Sequence, residues 1–86
     1  MKYETFVKRL EKGKSNHYIY KKNGLEGLIS VWKYNSLYIL TWEECKEGEQ
    51  FDEAGYTKDE RYEFKSLDEI TTFLNRAHIS VEEFTP

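Results

Sequence analysis

The chain has 86 residues, 38% of them hydrophobic and 34% charged, and a formal net charge of −3, which bounds it to one globular domain over residues 1–86 and excludes a disordered composition. Its single cysteine, Cys45, excludes an intramolecular disulfide and a cysteine zinc cluster, and no apolar stretch approaches the ~18 residues that cross a bilayer. Charge is unevenly spread: residues 1–42 carry +5, residues 43–60 carry −6 and residues 61–86 carry −2, a polarity that can steer charged partners.

In chain order, residues 2–12 read as a helix, because Tyr3, Phe6, Val7 and Leu10 fall at i, i+3, i+4 and i+7 on one stripe. Glu4 near its start and Lys8, Arg9 and Lys12 near its end suit the helix dipole, and Gly13 is a natural stop. Met1-Lys2 leads into this amphipathic segment rather than into a signal-peptide apolar core, so a cytoplasmic protein is expected. The abundance of Lys, Glu, Tyr, Asn and Ile resembles the coding bias of an AT-rich genome, such as that of a low-GC bacterium or its phage.

Three strands follow, at residues 17–22, 27–34 and 37–43, joined by the tight turns Asn23-Gly24 and Asn35-Ser36. A two-residue loop at Asn35-Ser36 sets Tyr34 opposite Leu37, Trp32 opposite Ile39 and Val31 opposite Leu40, and register decides which side chains share a face. Tyr18, Tyr20, Ile29, Val31, Tyr38, Leu40 and Trp42, with Lys33, then form the helix-packed face. The opposite face carries His17, Ile19, Lys21, Leu28, Ser30, Trp32, Tyr34, Leu37, Ile39 and Thr41. A merely solvated face has no need of Trp32, Ile39, Ile19 and Leu37.

Residues 45–59 are acidic, contain Gly48 and Gly55, and read as a long loop, or as a loop with a poor strand around Phe51. Residues 60–65 alternate, with Tyr62 and Phe64 inward, giving a fourth strand that pairs with either the first or the third. Ser66-Leu67-Asp68-Glu69 is a capping box opening a helix to about Ala77, with Leu67, Ile70, Phe73, Leu74 and Ala77 on its buried side. Ser80 can cap a last short turn that docks Ile79, Val81 and Phe84. The fold expected is α+β, ordered α-β-β-β-(long loop)-β-α, an antiparallel meander with both helices on one face.

That order resembles the double-stranded RNA-binding domain, in element order only. The family grips phosphates with a lysine-rich motif at the start of its second helix. The same place here reads Ser66-Leu67-Asp68-Glu69-Ile70, which is acidic and repels them, so the chain falls outside that family.

No constellation of residues points to catalysis or to a cofactor. Cys45 lies among Glu43, Glu44 and Glu47, which oppose thiolate formation, with no adjacent histidine. The acidic residues lack the spacing of a calcium loop, H-E-x-x-H is absent, and no glycine-rich phosphate loop occurs. Paired Asp68 and Glu69 are explained by the helix N-terminus.

A non-catalytic protein-binding or regulatory domain is therefore expected, its sharper form a small phage or mobile-element inhibitor of a host protein. Its contact residues are Trp32, Tyr34, Leu37, Ile39 and Ile19 on the sheet, with Glu47, Glu49, Asp52 and Glu53 imitating a phosphate row toward a nucleic-acid-handling enzyme. Phe51 and Tyr56 folding over the face, or a homodimer through it, would satisfy the same apolar surplus. The alternative is a single-strand nucleic-acid binder, with Trp32, Tyr34 and His17 stacking bases and Lys8, Lys14, Lys21 and Lys33 holding phosphates. The acidic balance opposes that alternative.

Overall fold

The computed structural model describes residues 1–48 and 55–86. Tyr3–Glu11 forms α1, whose apolar stripe buries Phe6 and Leu10. It ends in a Schellman turn: Gly13 takes φ +77°, the Gly13 amide donates to Leu10 O at 3.0 Å and the Lys14 amide to Arg9 O at 2.9 Å.

The strands are β1 (Asn16–Lys22), β2 (Leu25–Tyr34), β3 (Leu37–Lys46) and β4 (Tyr56–Phe64). They lie in the order β1-β2-β3-β4, every neighbour antiparallel. Asn23 and Gly24 both take positive φ, +53° and +77°, the conformation that matches strand twist in a two-residue hairpin. At the second turn Asn35 is left-handed at φ +56°, and Tyr34 faces Leu37, Trp32 faces Ile39 and Val31 faces Leu40 as expected. The fourth strand pairs with the third.

The strands reach further into residues 45–59 than expected, from both sides. β3 continues through Glu43, Glu44, Cys45 and Lys46, and β4 begins at Tyr56. Charged residues fit this ladder because they alternate between solvent and specific partners. Glu44 accepts from Tyr20, and the Lys58 ammonium lies over the Trp42 ring, 3.9 Å from its centroid. The register shifts by one residue between Glu44 and Cys45. This leaves Thr57 unopposed in a bulge, where its hydroxyl donates to Glu44 O or Oε2 at 3.2 and 3.1 Å.

α2 (Leu67–Arg76) starts on the expected cap, with Ser66 Oγ accepting from the Glu69 amide. The Glu69 carboxylate reaches one residue further back than a capping box requires, to the Lys65 amide at 2.8 Å. Phe6 and Leu10 from α1, Ile70 and Leu74 from α2, and Ile29, Val31 and Leu40 from the sheet share one core with Ile79 and Phe84. The domain is therefore α+β, with both helices on one face of a four-stranded meander.

Two features close the structure at the ends of the chain. Ser80 caps a 3-10 turn at Val81–Glu83, after which Thr85 pairs with His17 through two backbone hydrogen bonds of 2.7 Å. The Met1 amine donates to Glu82 O at 2.6 Å and to Phe84 O at 2.9 Å. Asn16, fully buried, ties α1 to β1: its Nδ2 donates to Phe6 O at 3.0 Å and its Oδ1 accepts from Arg9 Nε at 2.8 Å.

Candidate functional site

The register arranges the face opposite the helices in rows across the strands. Tyr34 and Leu37 form the row nearest the second turn, and Trp32, Ile39 and Glu63 the next. His17, Ser30, Thr41 and Arg61 make a polar row, in which His17 Nδ1 and Ser30 Oγ lie 3.0 Å apart. Beyond it come Ile19, Leu28, Glu43 and Asp59, then Lys21, Glu26, Cys45 and Tyr56. Both helices lie on the other side of the sheet.

The expected sheet residues therefore divide. Trp32, Tyr34, Leu37 and Ile39 come together at one end, with Tyr34 64% exposed and Ile39 only 2% exposed. Ile39 is the floor of this patch, and Trp32, Tyr34 and Leu37 are its surface. Ile19, 71% exposed, lies beyond the polar row, about 13 Å away along the strands. It borders a second, mainly apolar groove of about 250 Å³ lined by Leu28, Cys45, Tyr56, Glu26 and Glu43 among others. Leu28 and Tyr56 were the signal for this second patch. Their sharing of one groove is legible only once the β3–β4 ladder is known to reach Tyr56.

Of the acidic residues expected to contact a partner, Glu47 is exposed and lies 3.9 Å from Lys21 Nζ. Glu49, Asp52 and Glu53 lie outside the described residues, as does Phe51. Of the cations invoked for nucleic acid, Lys8, Lys21 and Lys33 do not gather around Trp32. Lys33 lies on the helix-packed face, over the Tyr38 ring at 5.5 Å. Lys8 belongs to α1, in the opposite layer. Lys21 does share the face with Trp32, but is paired with Glu26 at 3.3 Å. His17 and Cys45 share that face two strands and about 13 Å of strand apart, too far to act as a nucleophile and its base. Among the described residues no group of three His, Cys, Asp or Glu side chains converges as a metal ion would require, and no helix is long and apolar enough to cross a membrane.

A second polar constellation lies on the helix-packed face, where the sheet overhangs the C-terminal end of α2. Trp42 Nε1 donates to the Tyr20 hydroxyl at 3.0 Å, which donates to Glu44 Oε1 at 2.6 Å. Burial, then the hydrogen bond to the Glu44 carboxylate, pushes the Tyr20 phenol up to about 12. The Tyr20 ring lies over Gly27, where a Cβ would overlap it. This network is saturated by its own members and positions Tyr20 and Trp42 as structure. Compared with known protein families, characterised proteins and solved structures, the chain matches none of them.

Proposed function

We propose that this domain is a non-catalytic binder of another protein, docking through Trp32, Tyr34 and Leu37 above the buried Ile39, and regulating its partner by occupying the partner's surface. One observation carries the reading. An aromatic and aliphatic cluster, with Tyr34 64% exposed, sits on the sheet face that neither helix packs against. Such clusters bordered by polar side chains, here Thr41, Arg61 and Glu63, have the composition of interface hot spots. In its sharper form the binding inhibits a nucleic-acid-handling enzyme, with the carboxylates of residues 43–60 steering the approach to a basic groove.

The test is capture from a low-GC bacterial lysate on the tagged chain, with and without nuclease, beside Trp32→Ser. A protein retained despite nuclease, and reduced at least tenfold on a folded Trp32→Ser variant, is the expected result. Retention of nucleic acid alone, abolished by nuclease, overturns the reading. If Glu47→Lys leaves the captured protein unchanged in amount and in rate of association, the inhibitory form loses its described acidic contact.

A further inference from the structure

The two sheet edges are built differently. The outward positions of β4 include Asp59, Arg61 and Glu63, which follow one another along that edge. Charges in this pattern discourage a further strand. On β1 the outward positions follow from its hairpin. Lys22 and Leu25 flank the two-residue turn as a hydrogen-bonded pair, so Tyr20, Tyr18 and Asn16 face β2, and His17, Ile19 and Lys21 turn their N–H and C=O outward. His17 confirms this phase, because its outward groups are the ones that exchange hydrogen bonds with Thr85. The edge thus already accepts a strand at its first residues. Next along it stands Ile19, 71% exposed, beside the groove lined by Leu28 and Tyr56.

We infer that residues Ile19–Lys22 accept an extended segment of a partner protein as an added β-strand, continuing the pairing that Thr85 begins. The segment is roughly four residues long and alternates apolar with acidic side chains. Its apolar side chain covers Ile19 and enters the groove. Side chains opposite Ile19 and Lys21 share one face and those opposite Tyr20 and Lys22 the other, so its carboxylates answer the exposed Lys22, while Lys21 keeps its pairing with Glu26. Main-chain hydrogen bonds supply affinity in such pairing and alternate side chains supply selectivity. A second copy of this chain is a poor occupant. Its β1 brings no carboxylate to answer Lys22. The inference rests on the reading of this domain as a protein binder, and it concerns the edge rather than the Trp32 patch.

The probe is a blocked hexapeptide of alternating valine and glutamate, titrated to millimolar concentration into the isotope-labelled full chain and followed by amide NMR and hydrogen exchange. At saturation, exchange at the Ile19 and Lys21 amides is expected to slow at least tenfold. Ile19→Pro is expected to weaken binding at least tenfold. Because the Ile19 N–H points away from β2, proline there removes no ladder bond. Lys22→Glu, which keeps the backbone intact, is expected to weaken binding at least threefold and serves if Ile19→Pro does not fold. No binding at millimolar peptide, equal binding to wild type and Lys22→Glu, or unchanged exchange at Ile19 and Lys21 overturns the strand addition. Perturbations confined to Trp32, Tyr34 and Leu37 overturn it while leaving the protein-binding reading intact.

Discussion

The Tyr20 hydroxyl stands between Trp42 Nε1 and the Glu44 carboxylate, and its proton is held to about pH 12 rather than the ordinary 10.0. Above pH 10 the unfolded chain releases this proton while the folded chain keeps it, so the native state binds more protons and stability falls as pH rises. The contribution is complete below about pH 10 and is lost as pH passes through about 12. Tyr18, raised by burial and by Glu83, and Tyr62, raised by its hydrogen bond to Glu60, act in the same direction. Thermal unfolding followed from pH 9 to 11.5 should therefore show Tyr20→Phe losing stability with a shallower slope than wild type, though not a flat one. Gly27 belongs to the same network for a steric reason, since its φ is not positive and the Tyr20 ring is what a side chain there would meet first. Gly27→Ala should cost about 1–3 kcal/mol by urea denaturation, as overpacking does. In a Tyr20→Ala background the same substitution should cost no more than about 0.5 kcal/mol, and a double-mutant cycle isolates that coupling.

Helix ends show how far local chemistry reads through to an element. α2 closes as α1 does, with the Ile79 amide donating to Leu74 O at 2.9 Å and the His78 amide to Asn75 O at 3.0 Å. The left-handed position that Gly13 fills in the first helix is filled here by His78, at φ +60°. His78→Gly relieves that backbone strain and should stabilise the domain by about 0.5–1 kcal/mol, read as a higher urea midpoint with unchanged slope. The sequence shows α1 stopping because glycine marks the turn, whereas α2's stop has to be inferred from its fading apolar stripe. The same contrast governs the sheet. Asn23-Gly24 and Asn35-Ser36 carry the register of three strands in their own turn chemistry, so which face receives Trp32 or Leu40 is legible without a structure. The ladder from Glu43 to Cys45 against Tyr56 to Asp59 is not. Its run of carboxylates and flanking glycines have the composition of a loop, and only cross-strand partners such as Tyr20 and Trp42 make it a strand. The loop reading hid the second patch, because placing Tyr56 beside Cys45 is what defines it. The Thr85–His17 bridge could not be read either, since a single pair has no period.

At the scale of the whole molecule, stability depends on how the chain's two ends share one core. Phe84 is fully buried, packs edge-on against Phe6 at 5.3 Å and lies 5.7 Å from Tyr18, so it joins α1, β1 and the C-terminal segment. The backbone on either side of it holds the Met1 amine and His17. A domain of this size is expected to have only about 4–13 kcal/mol of stability, and emptying a buried phenylalanine site costs about 3–5 kcal/mol. Phe84→Ala should therefore lower the melting temperature by at least ~12 °C in one cooperative transition seen alike by far-ultraviolet circular dichroism and tryptophan fluorescence. The His17 amide, bonded to Thr85, should exchange as slowly as the Ile29 and Leu40 core amides in the wild type and faster than them in the variant. A melting point within a few degrees of wild type would mean that the terminal segment only decorates the sheet. The open edge of β1 would then begin at His17 rather than Ile19, and an added strand would have two more residues to pair with.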